Sequence, residues 1–227
     1  MSDGSDGAPR PANLSQEASR LTSALHEIDE LLTLNALLAT QCALLADSLA
    51  DALRFACHDP LTGLGNRRLL TDHFKQAAAT ARRKNNHVML IFIDLDGFKG
   101  INDAIGHAAA DRLLQTVAGR LSACVRASDT VCRYGGDEFV VLLPDIDHSE
   151  QALAVCGHIR SQVARHLIID GTRIQATASL GMAEFPADGT DCNALIRSAD
   201  QAMYRDKCRH ASGGAMPTSA TGQASAR

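Results

Sequence analysis

Two short acidic segments carry residue types that suit chemistry on a phosphorylated ligand. In the first segment, an apolar run ends at Asp94, and Gly97 and Lys99 follow. A buried carboxylate without a partner is costly, so Asp94 is expected at a strand end or beside a cation. Glycine lets the backbone approach a ligand, and lysine adds positive charge. Together these groups suit a metal–triphosphate ligand, although a solvated strand end has the same composition.

The second acidic segment is a tight turn between two β-rich runs. Gly-Gly-Asp-Glu occupies positions 135–138, and an apolar run begins at Phe139. This pattern predicts a hairpin whose glycines leave the backbone open to a ligand. If the hairpin lies beside the first strand, Asp94 and Asp137 meet at one edge and repel unless a divalent cation lies between them. Taken alone, such a sequence is more often an ordinary acidic β-turn.

Alternating helix and strand patterns surround both segments. Helices are predicted at 67–83, 108–126, 149–166 and 193–209, and strands at 88–95, 130–134, 139–143 and within 173–184. Helices that alternate with strands predict an α/β fold, in which helices cover a mixed central sheet.

A long segment without glycine or proline precedes these elements. Between residues 16 and 57, leucine and isoleucine recur at 21, 25, 28 and 32 and again at 38, 45, 49 and 53. This spacing predicts a helix with a nearly heptad repeat. Such a stripe must be buried on the following domain or against a second copy, and we favour a parallel coiled-coil dimer. The predicted domain then covers 58–210, and the polar, small-residue segments 1–15 and 211–227 are expected to be disordered.

Composition excludes several classes of function. The net charge is −4 and no run of five or more Lys and Arg residues occurs, so a basic nucleic-acid surface is not expected. Seven cysteines without a C-x-x-C pair predict reduced core thiols in a cytoplasmic protein. The N-terminus does not resemble a signal peptide, and the least charged run, at 31–46, is shorter than the ~18–20 residues that a membrane span needs. We therefore expect no membrane span.

The segment at 133–139, Arg-Tyr-Gly-Gly-Asp-Glu-Phe, resembles the signature of GGDEF-domain diguanylate cyclases. Further resemblance lies in the family's order at 59–68, 94–99, 101–103, 106–107 and 199–204. The resemblance implies a fold related to nucleotidyl cyclases and polymerase palms. It also implies a reaction in which two GTP molecules condense to cyclic di-GMP and two pyrophosphates.

The resemblance implies roles for matching residues. Asp94, Asp137 and the Leu95 carbonyl would bind Mg²⁺ or Mn²⁺, and Glu138 would help to deprotonate the attacking 3′-hydroxyl, with Asp137 and Lys99 also catalytic. The implied GTP-binding residues are Phe98, Lys99, Asn102, Asp111, Gly135, Gly136 and Lys207. Guanine reading by Asp111 and Asn102 is chemically sensible, because a carboxylate accepts from the N1–H and the exocyclic amine, and an amide both donates and accepts.

A second site is implied at 126–129, Arg-Ala-Ser-Asp, which resembles the family's inhibitory R-x-x-D site for the product. Arg126 and Asp129 would bind cyclic di-GMP, with Arg160 as a weaker candidate partner, because arginine makes bidentate contacts to guanine or phosphate. The alternative is a surface Arg–Asp pair that closes a helix. The implied reaction needs two domains face to face, each with one GTP, so the N-terminal helix would serve as a homodimerisation segment.

Three positions depart from the family pattern. Ala110 replaces a glycine, Ala211 stands where a phosphate-anchoring arginine is usual, and Asp206 replaces a small residue. These departures bear on GTP affinity more than on chemistry. They keep open the alternative of a catalytically weak or inactive GGDEF module that senses cyclic di-GMP or GTP, or acts as an interaction protein.

Overall fold

The computed structural model of this chain describes residues 11–146 and 149–213. Its helices are α1 (Pro11–Cys57), α2 (Arg67–Lys84), α3 (Phe98–Ile105), α4 (His107–Ala123), α5 (Ser149–Val163) and α6 (Cys192–Gly213). Its strands are β1 (His87–Leu95), β2 (Thr130–Arg133), β3 (Glu138–Ile146), β4 (Leu167–Ile169), β5 (Thr172–Ile174) and β6 (Ala178–Phe185). The predicted α/β architecture with a long N-terminal helix is confirmed.

Four strands form the central sheet in the order β2-β3-β1-β6. The strand pairs β2–β3, β3–β1 and β1–β6 are all antiparallel, so the expectation of a mixed sheet is wrong for these strands. A parallel bridge joins Gly65 to Cys132 at the β2 edge. Sequence patterning did not reveal strand direction, because a central strand buried on both faces has the same apolar run in either direction.

The core lies on both faces of the sheet. Side chains alternate along β1, so Ile91 and Ile93 belong to the cluster with α4 and α5, whereas Leu90 and Phe92 belong to the cluster with α2 and α6. All four are buried. At about 1.5–3 kcal/mol for each fully buried large apolar side chain, this double burial makes β1 a rigid support for the residues at its end.

Helix α6 lies directly against β6 because of a glycine in the strand. A Cβ atom at Gly181 would lie 2.1 Å from both the Ala199 carbonyl oxygen and the Met203 nitrogen of α6. No side chain fits in that space, so the backbones of the strand and the helix are in contact. Helix α6 carries Lys207, one of the residues expected to bind GTP.

Both ends of the described chain differ from the prediction. Residues 11–15, expected to be disordered, belong to α1, whose first residue is Pro11; proline fits the first turn of a helix because its missing N–H would be unpaired there. Helix α6 continues to Gly213, so residues 211–213 of the predicted tail are also helical. Residues 1–10 and 214–227 lie outside the described residues.

Several internal boundaries also differ. Helix α4 ends at Ala123 rather than residue 126, and α5 ends at Val163 rather than 166. Helix α3 and strand β4 were not predicted, and the region at 173–184 is divided between β5 and β6. The missed elements have only eight and three residues, too short for a clear periodic pattern.

The chain divides into two units between Arg54 and Phe55, so that most of α1 belongs to the first unit and its last three residues belong to the second. The leucines and isoleucine of the predicted stripe are all exposed on α1. By length and composition alone, α1 is the one helix of the described chain that could cross a membrane, over Leu14–Cys57. Core helices and signal sequences meet the same criterion, so the absence of a span stays a prediction.

The cysteines are less uniform than predicted. None of the seven forms a disulfide, and Cys132, Cys156 and Cys192 are buried as expected. Cys42 on α1 and Cys208 on α6 are exposed, so the prediction of core thiols is wrong for these two. Burial raises the pKa of the Cys132 thiol to about 12, which keeps it protonated and unreactive at neutral pH.

Candidate active site

The carboxyl end of β1 and the start of β3 lie side by side. In the antiparallel register Asp94 is opposite Glu138, and the Leu95 N–H donates to the Asp137 carbonyl at 3.3 Å. The two acidic segments therefore meet at one edge of the sheet, as predicted from the sequence. Successive residues of a strand point to opposite faces of the sheet. Asp137 comes just before β3, and the turn brings it to the same edge as Asp94.

Lys207 reaches this edge from α6. Its Nζ lies 2.5 Å from Oδ1 of Asp94, and the Asp94 side chain is only 13% exposed. Burial favours the neutral amine, but the hydrogen bond and charge of Asp94, with further charge from Asp96 and Asp137, raise the pKa of Lys207. The lysine is therefore a fixed positive charge beside the carboxylates.

The two carboxyl groups of the turn, those of Asp137 and Glu138, both have raised pKa values. Burial raises the pKa of Asp137, and the charge of Asp94 adds to this effect, while Lys207 opposes it. Burial also raises the pKa of Glu138, and the charges of Asp94, Asp137 and Asp200 act in the same direction. A raised carboxyl pKa means that the ionised form is disfavoured, and added positive charge at this edge would stabilise it.

Oxygen donors of this kind suit a hard divalent cation. Asp94 and Asp137 provide carboxylate oxygens. Burial raises the pKa values of Asp137 and Glu138, the charge of Asp94 raises them further, and a divalent cation would relieve that repulsion. Within 11–146 and 149–213, however, no three acidic, histidine or cysteine side chains are already arranged as a metal-ligand set. Asp94 is instead paired with Lys207. The residues thus fit Mg²⁺ or Mn²⁺ in donor type.

Gly135 makes room for the Glu138 side chain. The Tyr134 and Gly135 N–H groups donate to the Glu138 carbonyl at 2.8 and 3.3 Å and close the turn. A Cβ at position 135 would lie within 2.4 Å of Glu138 Oε2, whereas a Cβ at Gly136 would meet nothing within 4 Å. A side chain at position 135 would therefore displace the Glu138 carboxylate from this position.

Arg133 holds the turn in place, a role that the sequence reasoning missed. Its Nη2 and Nε donate to the Gly136 carbonyl at 2.7 and 3.1 Å, and its Nη1 donates to both carboxylate oxygens of Asp59. Asp59 also accepts from the N–H and hydroxyl of Thr62 at 2.8 and 2.6 Å. Opposite charges at 59 and 133, each within a family-like segment, were the signal that could have predicted this pair.

Asp96 was also missed, and its contacts are structural. Its carboxylate accepts from the Ser179 hydroxyl at 2.6 Å and the Thr177 hydroxyl at 2.7 Å, and its N–H donates to the Thr177 carbonyl. These bonds attach the chain after β1 to the start of β6. Gly97 follows with φ of 65°, a left-handed conformation that glycine tolerates, and α3 begins.

Four predicted GTP-binding residues lie on α3 and α4. Phe98 packs partly against the core, and Lys99 is exposed on the first turn of α3. Asp111 is exposed on the first turns of α4. Oδ1 of Asn102 is buried and, among the described residues, has no hydrogen-bond partner. A buried acceptor without a donor is costly, and a ligand N–H would satisfy it.

Ala110 lies beside Asp111 but faces the core. It is 2% exposed and is one of the buried residues of α4. Its methyl group therefore adds apolar packing at a position where glycine is usual in the family.

The implied product-site residues do not come together within the described chain. Asp129 accepts from the Arg126 N–H at 2.8 Å and closes the turn before β2, at one edge of the sheet. Arg160 on α5 donates to the Ala178 carbonyl of β6, the other edge strand, at 3.5 Å and pairs with Asp206 at 3.0 Å. The expectation that Arg160 shares a site with Arg126 is not met in one copy of the chain.

The sequence of this chain matches a known protein family. The sequence profile described as "Diguanylate cyclase, GGDEF domain" matches residues 56–212. The chain belongs to the GGDEF family. The bifunctional diguanylate cyclase/cyclic di-GMP phosphodiesterase MucR of Pseudomonas aeruginosa is 40% identical over 178 residues, which is 77% of this chain and 26% of MucR. The chain thus spans about a quarter of that relative.

Solved GGDEF structures agree with the fold. The GGDEF domain of PA1120 (TpbB or YfiN) from P. aeruginosa is 36% identical with a TM-score of 0.65, over 67% of this chain and 89% of that one. The coiled coil and GGDEF domain of DgcB from Caulobacter crescentus, in complex with c-di-GMP, is 28% identical with a TM-score of 0.67. It covers 85% of this GGDEF chain and 94% of the DgcB chain.

Proposed function

We propose that this protein is a diguanylate cyclase, which condenses two GTP molecules into cyclic di-GMP and two pyrophosphates. The observation that carries the proposal is the meeting of Asp94, Asp137 and Glu138 at one sheet edge, with Lys207 held against Asp94. Such an edge brings together carboxylate oxygens that can bind a cation and one fixed positive charge that can contact a phosphate. A GGDEF module that only senses nucleotides would not need the Glu138 carboxylate in the position that the lack of a side chain at Gly135 leaves open.

Guanine recognition is assigned to Asn102 and Asp111. The unpartnered Oδ1 of Asn102 supports this assignment, because a base N–H would supply the donor that it lacks. The exposed carboxylate of Asp111 is able to accept from the N1–H and the exocyclic amine. Adenine has no donor at N1, so GTP is the expected substrate and ATP is not.

The phosphates are assigned to the groups around the turn. Lys99 and Lys207 provide positive charge, and Gly135 and Gly136 allow the triphosphate to approach the backbone. Phe98 contributes by packing the start of α3 on the core. Mg²⁺ or Mn²⁺, held by Asp94, Asp137 and the Leu95 carbonyl, would neutralise phosphate charge as pyrophosphate leaves.

Chemistry requires one proton to leave the attacking hydroxyl. The 3′-oxygen of one GTP forms a bond to the α-phosphorus of the other, the bond to the β-phosphate oxygen breaks, and pyrophosphate leaves. Glu138 is the proposed proton acceptor, because its raised pKa lies closer to neutral pH than the pKa of an ordinary glutamate does. Two such transfers, one from each nucleotide, close the ring.

A single domain cannot complete this reaction, so we assign homodimerisation to α1. The exposed leucine stripe supports a coiled coil between two copies, and the solved DgcB structure contains a coiled coil and a GGDEF domain. The coiled coil would raise the effective concentration of the two domains. We further propose a GGDEF catalytic domain at 58–210, a cytoplasmic location, no membrane span and no nucleic-acid partner.

Product inhibition is proposed at Arg126 and Asp129. Arg126 is exposed, and its guanidinium is available for a bidentate contact to guanine or phosphate. Arg160 of the same copy is committed to Asp206 and is not part of this proposal.

The test of the function is the comparison of purified wild-type protein with Glu138→Gln and Asp94→Asn. With GTP and Mg²⁺, wild type should form cyclic di-GMP, and both variants should lose at least about 100-fold in rate while still folding. Equal product from wild type and variants would place the activity elsewhere. Removal of residues 1–54 should make specific activity fall steeply on dilution to nanomolar enzyme. An unchanged dilution profile would contradict the role of α1.

A further inference from the structure

Asp206 joins three elements next to the proposed active site. Its Oδ2 accepts from the Leu180 N–H of β6 at 3.0 Å and from Nη2 of Arg160 on α5 at 3.0 Å. His210, one turn further along α6, lies 3.7 Å from the same oxygen and 3.2 Å from Nη1 of Arg160. The Asp206 side chain is only 18% exposed.

These contacts satisfy the open edge of the sheet. Because β6 is an edge strand, its outward backbone groups have no neighbouring strand. Asp206 accepts from the outward N–H of Leu180, and Arg160 donates to the carbonyl of Ala178. Burial opposes ionisation, but the Leu180 and Arg160 hydrogen bonds lower the pKa of Asp206, which therefore stays charged at neutral pH.

Asp206 immediately precedes Lys207 on α6. Successive helical residues point about 100° apart, so the direction of one side chain fixes that of the next when the helix cannot rotate. Gly181 sets the distance between α6 and β6, at Ala199 and Met203. This contact lies toward the middle of α6, so it does not by itself fix the rotation of the helix at position 207.

We propose that Asp206, together with Arg160, is a positioning device that fixes the rotation of α6 and thereby holds Lys207 on Asp94. The carboxylate anchors one side of the helix to β6 and α5, and Lys207 on the adjoining side then meets β1. Arg160 thus acts through Lys207 rather than as a product-binding residue. This inference rests on the proposed role of Lys207 in phosphate contact.

A double-mutant cycle on cyclase activity tests it. Asp206→Ala should lower kcat about tenfold, with a smaller change in KM for GTP, because the phosphate-contacting lysine is misplaced. In a Lys207→Ala background, Asp206→Ala should change kcat less than about twofold. A role in structure alone would lower activity by the same factor in both backgrounds, and that result would overturn the proposal.

Two further variants keep the test interpretable. Asp206→Asn keeps an acceptor for Leu180 but loses the charge that pairs with Arg160, so it should fold and show an intermediate loss. Asp191→Ala is the matched control on the same helix, because Asp191 accepts from the Ala194 N–H at 2.9 Å and caps the distant end of α6. It should lower Tm without lowering kcat. If Asp191→Ala lowers kcat as much as Asp206→Ala does, general loosening of α6 explains both.

A readout independent of turnover separates this inference from the function. Lysines carrying ¹³C-methyl groups keep their charge and can be titrated by NMR, with the Lys207 signal assigned by Lys207→Arg. In Asp206→Ala, the pKa of Lys207 should fall, because the lysine loses Asp94. An unchanged Lys207 titration would overturn the inference even in an active enzyme. A shifted titration in a protein that makes no cyclic di-GMP would refute the function and leave the positioning role standing.

Discussion

Arg133 donates to both carboxylate oxygens of Asp59, at 3.1 and 3.2 Å, across 74 residues of sequence. Both side chains are about one-sixth exposed, at 15% and 17%. The pair connects the loop after α1 to the turn that carries the proposed catalytic glutamate, because the same guanidinium also holds the Gly136 carbonyl.

Arg133→Lys should therefore affect both stability and activity. Lysine cannot reproduce a planar fork that serves Asp59 and Gly136 together, so we expect a loss of about 1–3 kcal/mol in unfolding free energy and a clear fall in kcat. Urea unfolding and initial rates measure the two effects. Arg83→Lys is the control, since the one hydrogen bond of the Arg83 side chain within the described residues is a 3.4 Å contact to Thr80 on an exposed helix face. The stability of this variant should stay within about 0.5 kcal/mol of wild type.

Asp59 should also make stability depend on acid pH. Burial raises its pKa, but hydrogen bonds from Thr62 and Arg133 outweigh burial, so the pKa of Asp59 in the folded protein is lowered. A lowered carboxyl pKa contributes stability above the unfolded pKa, and this is lost as pH falls through the folded value. Asp59→Asn should accordingly lose less stability between neutral and acid pH than wild type loses. Parallel stability–pH curves would contradict the assignment.

Asp137 and Glu138 should link activity to both pH and divalent cation. Burial and neighbouring carboxylates raise both pKa values, so without added cation the turn favours protonation, and the charged forms reduce stability as pH rises through the folded pKa. A bound divalent cation would favour the ionised forms. We expect the acid limb of the pH–rate profile to move to lower pH as Mg²⁺ is increased. An acid limb that does not respond to Mg²⁺ would argue against a metal at these carboxylates.

The two glycines of the turn should differ in sensitivity. Gly135→Ala places a methyl group where Glu138 Oε2 lies, so the glutamate must move and kcat should fall by at least about tenfold. Gly136→Ala meets no atom within 4 Å and should lose less activity. Initial rates at saturating GTP compare them directly, and a larger loss for Gly136→Ala would show that ligand approach, rather than contact with Glu138, sets the requirement.

Gly181 should be a strict requirement of the fold. Alanine at this position would overlap the backbone of α6, so Gly181→Ala should lose at least about 3 kcal/mol or fail to fold. Gly119→Ala, within α4 and with no atom near its new Cβ, should instead gain about 0.5–1 kcal/mol. Thermal unfolding of the pair checks this, and similar Tm values would contradict the close approach of α6 and β6.

The sequence predicted the parts of the site that follow from residue type and spacing. Asp94 at the end of an apolar strand and the Gly-Gly-Asp-Glu turn predicted that two acidic segments meet at one sheet edge if the hairpin lies beside the first strand, and β3 does pair with β1. The long α1 was also predicted, since 47 residues with only one proline, at its start, leave little alternative. Its first residues were missed because the polar, small-residue composition of 1–15 was read as disorder.

Contacts between distant side chains were not predictable in the same way. The Arg133–Asp59 pair spans 74 residues and the Arg160–Asp206 pair spans 46, and neither has a local pattern. Arg160 was assigned to the product site from its positive charge. Charge alone does not reveal which edge of the sheet a helix covers, and Arg160 lies beside β6. Asp206 was read only as a departure from the family, although its contacts give it a place beside Lys207.

The most direct test of the account is the product formed from GTP by the purified full chain. With GTP and Mg²⁺, mass spectrometry should detect cyclic di-GMP, and two pyrophosphates should be released for each cyclic dinucleotide. The Glu138→Gln variant should form neither at a comparable rate. Absence of cyclic di-GMP from wild-type protein at every enzyme concentration, while cyclic di-GMP itself binds, would contradict the cyclase proposal and identify a nucleotide sensor instead.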